Sequence, residues 1–116
     1  MKILLVDDET KFAMMLSKRL TLRGINVDFV NTAEDAMANA EKNKYDVAIL
    51  DVKMPGIGGL ELKRKLTDLA PGMKFVFVTG HGSETDYTAG STDETYYLAK
   101  PLQIDTLLEI LHEIAE

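Results

Sequence analysis

Three runs of four apolar residues, Ile3-Leu4-Leu5-Val6, Val47-Ala48-Ile49-Leu50 and Phe75-Val76-Phe77-Val78, contain no polar alternation. A strand with one wet face alternates apolar and polar residues. A strand that does not alternate is covered on both faces, which is the condition of a parallel sheet flanked by helices. The run before Asp51 carries the most information, because it ends in an acid and passes at once into a turn, Asp51-Val52-Lys53-Met54-Pro55-Gly56. In open α/β sheets the C-terminal ends of the strands are where ligands bind.

The rest of the chain supplies the matching elements. Phe12, Met15, Leu16 and Leu20 recur at helical spacing from Thr10 to Arg23-Gly24, where Gly closes the helix. Val27, Phe29 and Val30 give a second strand. Thr32-Ala33-Glu34-Asp35 resembles a capping box opening a helix whose face is Ala33, Ala36, Met37 and Ala40, continuing to Asn43. Asp46 to Leu50 is the third strand. Leu62, Leu66 and Leu69 mark a helix that stops before Pro71-Gly72. Tyr96-Tyr97-Leu98 forms a short fifth strand ahead of Lys100-Pro101, and Ile104, Leu107, Leu108, Leu111 and Ile114 form the face of a final helix. Five βα units joined by right-handed crossovers predict one parallel sheet with helices on both faces. Ser83 to Thr95 fits badly, with only Tyr87 and Ala89 as apolar candidates and Gly90 inside a polar stretch. The fourth helix is therefore expected to be short, irregular or mobile.

At 116 residues the chain is expected to be a single domain over 1–116, long enough for a real core. A net charge of -6 argues against direct nucleic-acid binding and against attraction to an anionic membrane. The absence of cysteine excludes disulfides and thiolate metal sites. The apolar run at the N-terminus is too short for a signal segment or a membrane span and meets acids at once, so a cytoplasmic location is expected.

Parallel strands end on the same edge, so Asp7 and Asp8, Asp51, Thr79 and Lys100 are expected to converge there. Crowded carboxylates repel one another unless a counter-charge is present. Oxygen ligands without His or Cys suit Mg²⁺. A Lys and a hydroxyl facing the same point serve a tetrahedral oxyanion, and the chemistry that uses all five groups is phosphoryl transfer to a carboxylate.

Asp7-Asp8-Glu9, Asp51 to Gly56, Thr79-Gly80 and Tyr97-Leu98-Ala99-Lys100-Pro101 together resemble the receiver domain of two-component response regulators, in order and spacing over the whole chain. The resemblance implies a flavodoxin-like (βα)5 fold with strand order 2-1-3-4-5. It implies that Asp51 is the phosphoacceptor and that a sensor histidine kinase or phosphotransfer protein is the donor. Mg²⁺ would be held by Asp7, Asp8, Asp51 and the backbone carbonyl of Lys53. Thr79 and Lys100 would bind the phosphoryl group, Thr79 and Tyr97 would form the switch, and Lys100-Pro101 would be a cis peptide. A homodimer or an output domain would use the face of strand five and helix five.

Some residues depart from the family pattern. Gly58-Gly59 stands where many receivers have Asp-Gly, which removes a good N-cap from the third helix. Lys53 and His81 lie two residues after Asp51 and Thr79, positions that flank the phosphate in the family, and the Lys53 ammonium is expected to fold over a modified Asp51 and hinder water attack. Two alternatives share the fold: a docking module that acts without phosphorylation, and an aspartyl-phosphate phosphatase. The second needs a further acid two residues after the nucleophile, where this chain has Lys53. Flavin or nucleotide binding conflicts with the acids of the first loop. The chain is not expected to be an enzyme beyond its own phosphorylation and dephosphorylation. It reads either as a free-standing receiver or as the front of a longer regulator. His81 and His112 are expected at the surface, Glu9 as a charge near the site or at a helix start, and the Met residues mostly in the core.

Overall fold

The three non-alternating runs occupy the centre of a five-stranded parallel sheet of order β2-β1-β3-β4-β5 in the computed structural model. The structure describes residues 1–80 and 95–115. The elements are β1 (Lys2–Val6), α1 (Thr10–Thr21), β2 (Asn26–Val30), α2 (Ala33–Lys42), β3 (Val47–Asp51), α3 (Gly59–Leu69), β4 (Lys74–Thr79), β5 (Thr95–Ala99) and a C-terminal helix (Ile104–Ala115). The expectations for a fourth helix and for His81 fall outside the described residues.

Strand alternation divides the core into two layers. Leu4, Val6, Ala48, Leu50, Phe75 and Phe77 face α2 and α3, where they meet Ala33, Ala36, Leu62 and Leu66. Ile3, Leu5, Val47, Ile49, Val76 and Val78 face α1 and the C-terminal helix, where they meet Ala13, Leu16, Leu20, Leu107 and Leu111. This is the doubly wound, flavodoxin-like architecture that the resemblance implies, and its cover on both faces of the sheet accounts for the lack of alternation in the runs.

The strands run slightly longer than the apolar runs. Asp51 is the last residue of β3 and Thr79 the last of β4. Pairing continues past them, with Val52 N–H donating to Val78 O at 3.0 Å and Lys100 N–H to Thr79 O at 2.8 Å. Once a parallel neighbour is available, the hydrogen-bond ladder does not stop where hydrophobicity does. Asp46, expected inside β3, lies just before it, and its carboxylate accepts from Lys2 N–H at 2.8 Å.

The helix ends follow local chemistry. Gly24 has φ +82°, with Gly24 N–H donating to Thr21 O at 3.0 Å and Ile25 N–H to Leu20 O at 3.1 Å. That pair of bonds is a Schellman ending, which a residue with a Cβ adopts only under strain. Thr32 Oγ1 accepts from Asp35 N–H at 3.1 Å at the start of α2. Gly58 offers α3 no side-chain cap, and Gly59 N–H donates instead to Val52 O at 2.9 Å.

Several assignments from helical spacing are corrected. Met15 and Leu69 are exposed, and Ala13 holds the core position that periodicity gave to Met15. Met1 and Met14 are exposed as well, so the methionines are not mainly core filler. On a short amphipathic helix the edge positions of the apolar stripe reach solvent unless another element covers them. His112 is exposed, as expected.

Candidate functional site

Alternation carries past the apolar runs to the strand ends and sorts the polar residues there. Asp7 continues the Ile3–Leu5 face and Asp51 the Val47–Ile49 face, both on the α1 side. Lys100 follows Tyr96 and Leu98, which pack on that side too. Thr79 continues the Phe75–Phe77 face on the opposite side, which it shares with Tyr97.

The three acids converge. Oxygens of Asp7, Asp8 and Asp51 all lie within 4.8 Å of one another, with Asp7 and Asp51 buried and Asp8 exposed. Asp7 Oδ1 accepts from Glu9 N–H at 2.8 Å, and Asp7 Oδ2 pairs with Lys100 Nζ at 3.0 Å. Asp51 Oδ1 accepts from Lys53 N–H at 3.2 Å. The acids are not helix caps. Glu9 is the N-cap of α1, and no side chain there accepts from the first-turn amides.

Burial disfavours the charged carboxylates. It raises Asp7 above its usual range, against the opposing pull of the Glu9 amide and Lys100. Asp51 is pushed up to about 7, first by burial and then by the neighbouring Asp7 charge, which together outweigh Lys100 and the Lys53 amide. Burial pulls Lys100 down, but its bonds to Glu9 and Asp7 prevail and raise it. The edge thus holds more negative charge than its lysine neutralises. An all-oxygen donor set with excess negative charge fits a hard divalent cation.

Thr79 Oγ1 is buried with no hydrogen-bond partner among the described residues, a costly arrangement unless a ligand oxygen arrives. Tyr97 is half-buried and stacks on Phe77 with ring centroids 5.1 Å apart. Adjacent Tyr96 packs in the other layer. The Lys53 side chain is exposed, and the group that reaches Asp51 is its backbone N–H. Lys100-Pro101 is cis.

One contributor is missing from the sequence reading, while Glu9 is, as expected, both a charge near the site and the residue that starts α1. Phe12 was assigned only to the packed face of α1, yet Lys100 Nζ lies 4.3 Å above its ring. Glu9 contacts the same ammonium through Oε1. Helical spacing and strand ends each placed one partner, but nothing in one dimension set the start of α1 beside Lys100. Gly59, read as a lost cap neighbour, is a site of close approach: a Cβ there would lie 2.4 Å from the Asp51 carbonyl oxygen.

Comparison with known proteins gives a consistent result. The family model for the response regulator receiver domain matches residues 3–112. The transcriptional regulatory protein TcrA of Mycobacterium tuberculosis is 34% identical over 117 residues, covering 98% of this chain and 46% of that protein. A CheY-like receiver domain protein from Methanospirillum hungatei superposes with a TM-score of 0.85 at 32% identity, covering 97% of this chain and 90% of that one. The receiver domain of the hybrid histidine kinase CckA gives 0.85 at 29% identity, covering all of both chains. The chain spans about half the length, or less, of the curated relatives it matches.

Proposed function

Since the chain belongs to the response regulator receiver domain family, whose members switch by phosphorylation, we propose that Asp51 is its phosphoacceptor and that Asp7, Asp8, Asp51 and the Lys53 carbonyl hold Mg²⁺. The observation that carries this reading is the meeting of three carboxylates at one sheet edge beside Lys100.

An Asp51 oxygen forms the bond to phosphorus as the bond from phosphorus to the donor's histidine nitrogen breaks. With its pKa pushed up to about 7 by burial and the Asp7 charge, the metal-free acceptor is partly protonated at neutral pH, and a protonated carboxyl is a poor nucleophile. A bound divalent cation supplies positive charge that keeps the carboxylates ionised and offsets charge on the phosphoryl oxygens. Lys100 Nζ binds one phosphoryl oxygen and Thr79 Oγ1 donates to another. Thr79 and Tyr97 share a sheet face, and the register pairs Thr79 with Ala99, two residues beyond Tyr97. Movement of Thr79 toward the phosphoryl group opens space on the face Tyr97 occupies, so the modified state favours an inward Tyr97. The phosphoryl donor is a histidine kinase or phosphotransfer protein, the partner surface is β5 with the C-terminal helix, and the setting is cytoplasmic. Among the described residues no helix is long and apolar enough to cross a membrane. No turnover of an external substrate belongs to this reading.

Beryllofluoride, a stable phosphoryl mimic, tests it. With Mg²⁺ it should shift the NMR resonances of Thr79, Lys100 and the Tyr97 ring together. Thr79→Ala should retain binding while the Tyr97 ring no longer responds, and it should change stability by about 1 kcal/mol or less, because the lost hydroxyl has no partner among the described residues. An unresponsive wild type contradicts the acceptor assignment. A Tyr97 response unchanged by Thr79→Ala contradicts the coupling.

A further inference from the structure

Lys100 has company that the acceptor chemistry does not require. Its ammonium pairs with Asp7 and Glu9, and among the described residues no ion pair joins it to Asp51. It also lies 4.3 Å over the Phe12 ring. Glu9 and Phe12 both belong to the start of α1, so the resting ammonium is drawn to the α1 side of the acceptor.

We propose that Glu9 and Phe12 form a resting seat for Lys100, and that Glu9 is the competing anion the ammonium must leave in order to bind the phosphoryl group on Asp51. This inference rests on the acceptor reading above. The geometry gives each part of the seat a distinct task. The Glu9 backbone N–H fixes Asp7 Oδ1 while its side chain takes Lys100, so one residue sets both members of the Asp7–Lys100 pair. Phe12 offers an aromatic face, which attracts a partly desolvated cation where an aliphatic side chain of similar size would not. The Lys100 side chain is 11% exposed and that of Glu9 61%, so the Glu9 contact is the solvent-screened and weaker hold. A seat of that kind returns the lysine after dephosphorylation without trapping it. Glu9 is a positioning residue: it acts through Lys100 and does not touch the reacting atoms.

The test is a double-mutant cycle read by beryllofluoride affinity in Mg²⁺, measured calorimetrically. Glu9→Gln should tighten binding about two- to fivefold, the range an exposed ion pair supports. In a Lys100→Met background the same substitution should have no effect, because the ammonium that Glu9 competes for is gone. If Glu9 merely repels the anionic mimic, the gain will be equal in both backgrounds, and that result overturns the proposal. Glu9→Gln leaving the wild-type affinity unchanged overturns it as well. A second readout needs no variant: nuclear Overhauser contacts between the Lys100 ε-methylene and the Phe12 ring should be present in the resting protein and weaken when the mimic binds. Undiminished contacts in the bound state contradict a seat that is vacated. Failure of the wild type to bind beryllofluoride removes the acceptor reading and this inference together, whereas binding without a Lys100-dependent Glu9 effect removes this inference alone.

Discussion

Asp51→Asn is expected to make the metal-free protein more stable above neutral pH while abolishing its capacity to accept a phosphoryl group. Asp51 is 4% exposed, and its pKa rises from 3.8 to about 7, burial being the largest cause and the Asp7 charge the next. The sign follows from proton linkage. Between the unfolded and folded pKa values the native state holds a proton that the unfolded chain has lost, so stability falls as pH rises through that window. The stabilising contribution is complete below about pH 4 and gone above about pH 7, where the carboxylate is charged, buried and short of counter-charge. A neutral amide of the same shape avoids that cost, and a gain of about 1–3 kcal/mol at pH 8 is expected. Thermal unfolding between pH 5 and pH 8 without divalent cations measures it. The wild type should lose stability across this range and the variant much less, with the raised Asp7 leaving a residual slope. A variant less stable than the wild type at pH 8 contradicts the electrostatics of the site.

Gly59→Ala is expected to cost about 1–3 kcal/mol, the range for overpacking a well-packed position. The added Cβ would sit 2.4 Å from the Asp51 carbonyl oxygen and 3.0 Å from Val52 Cα. Both are backbone atoms, so no side-chain rotation relieves the clash. Either α3 moves off the sheet, stripping Leu62 and Leu66 from their layer, or the backbone of Asp51 and Val52 moves. The substitution should therefore lower the urea midpoint and also slow phosphoryl acceptance. Gly80→Ala is the contrast, because among the described residues its Cβ would meet only the Lys100 side chain, at 3.6 Å, an ordinary contact. Equal stability of the Gly59 and Gly80 variants contradicts a requirement for close approach between α3 and β3.

Three runs without polar residues carried the sheet, because burial on both faces leaves no other pattern, and parallel strand ends then placed Asp7, Asp8, Asp51, Thr79 and Lys100 on one edge. Periodicity failed at the margins of helical faces, as at Met15 and Leu69, where the depth of coverage depends on a neighbour the helix cannot specify. Tyr45 carries no pattern of its own, yet it is buried in the α2–α3 layer with its hydroxyl donating to Asp28 Oδ2 at 2.6 Å. The steric demand at Gly59 and the meeting of Glu9, Phe12 and Lys100 were hidden for the same reason. Each joins residues from different elements, at distances set by packing and not by spacing along the chain. At Gly59 a reading in terms of caps noticed the glycine but missed its cause.

The most direct measurement is the intact mass of the protein after treatment with acetyl phosphate, with and without Mg²⁺, followed by peptide mapping and repeated on Asp51→Asn. The expected result is a single phosphoryl adduct that requires Mg²⁺, maps to Asp51 and is absent from the variant. A folded, Mg²⁺-binding wild type that takes no adduct from acetyl phosphate or from a histidine kinase, or an adduct that persists in Asp51→Asn, would contradict the assignment of Asp51 as the phosphoacceptor.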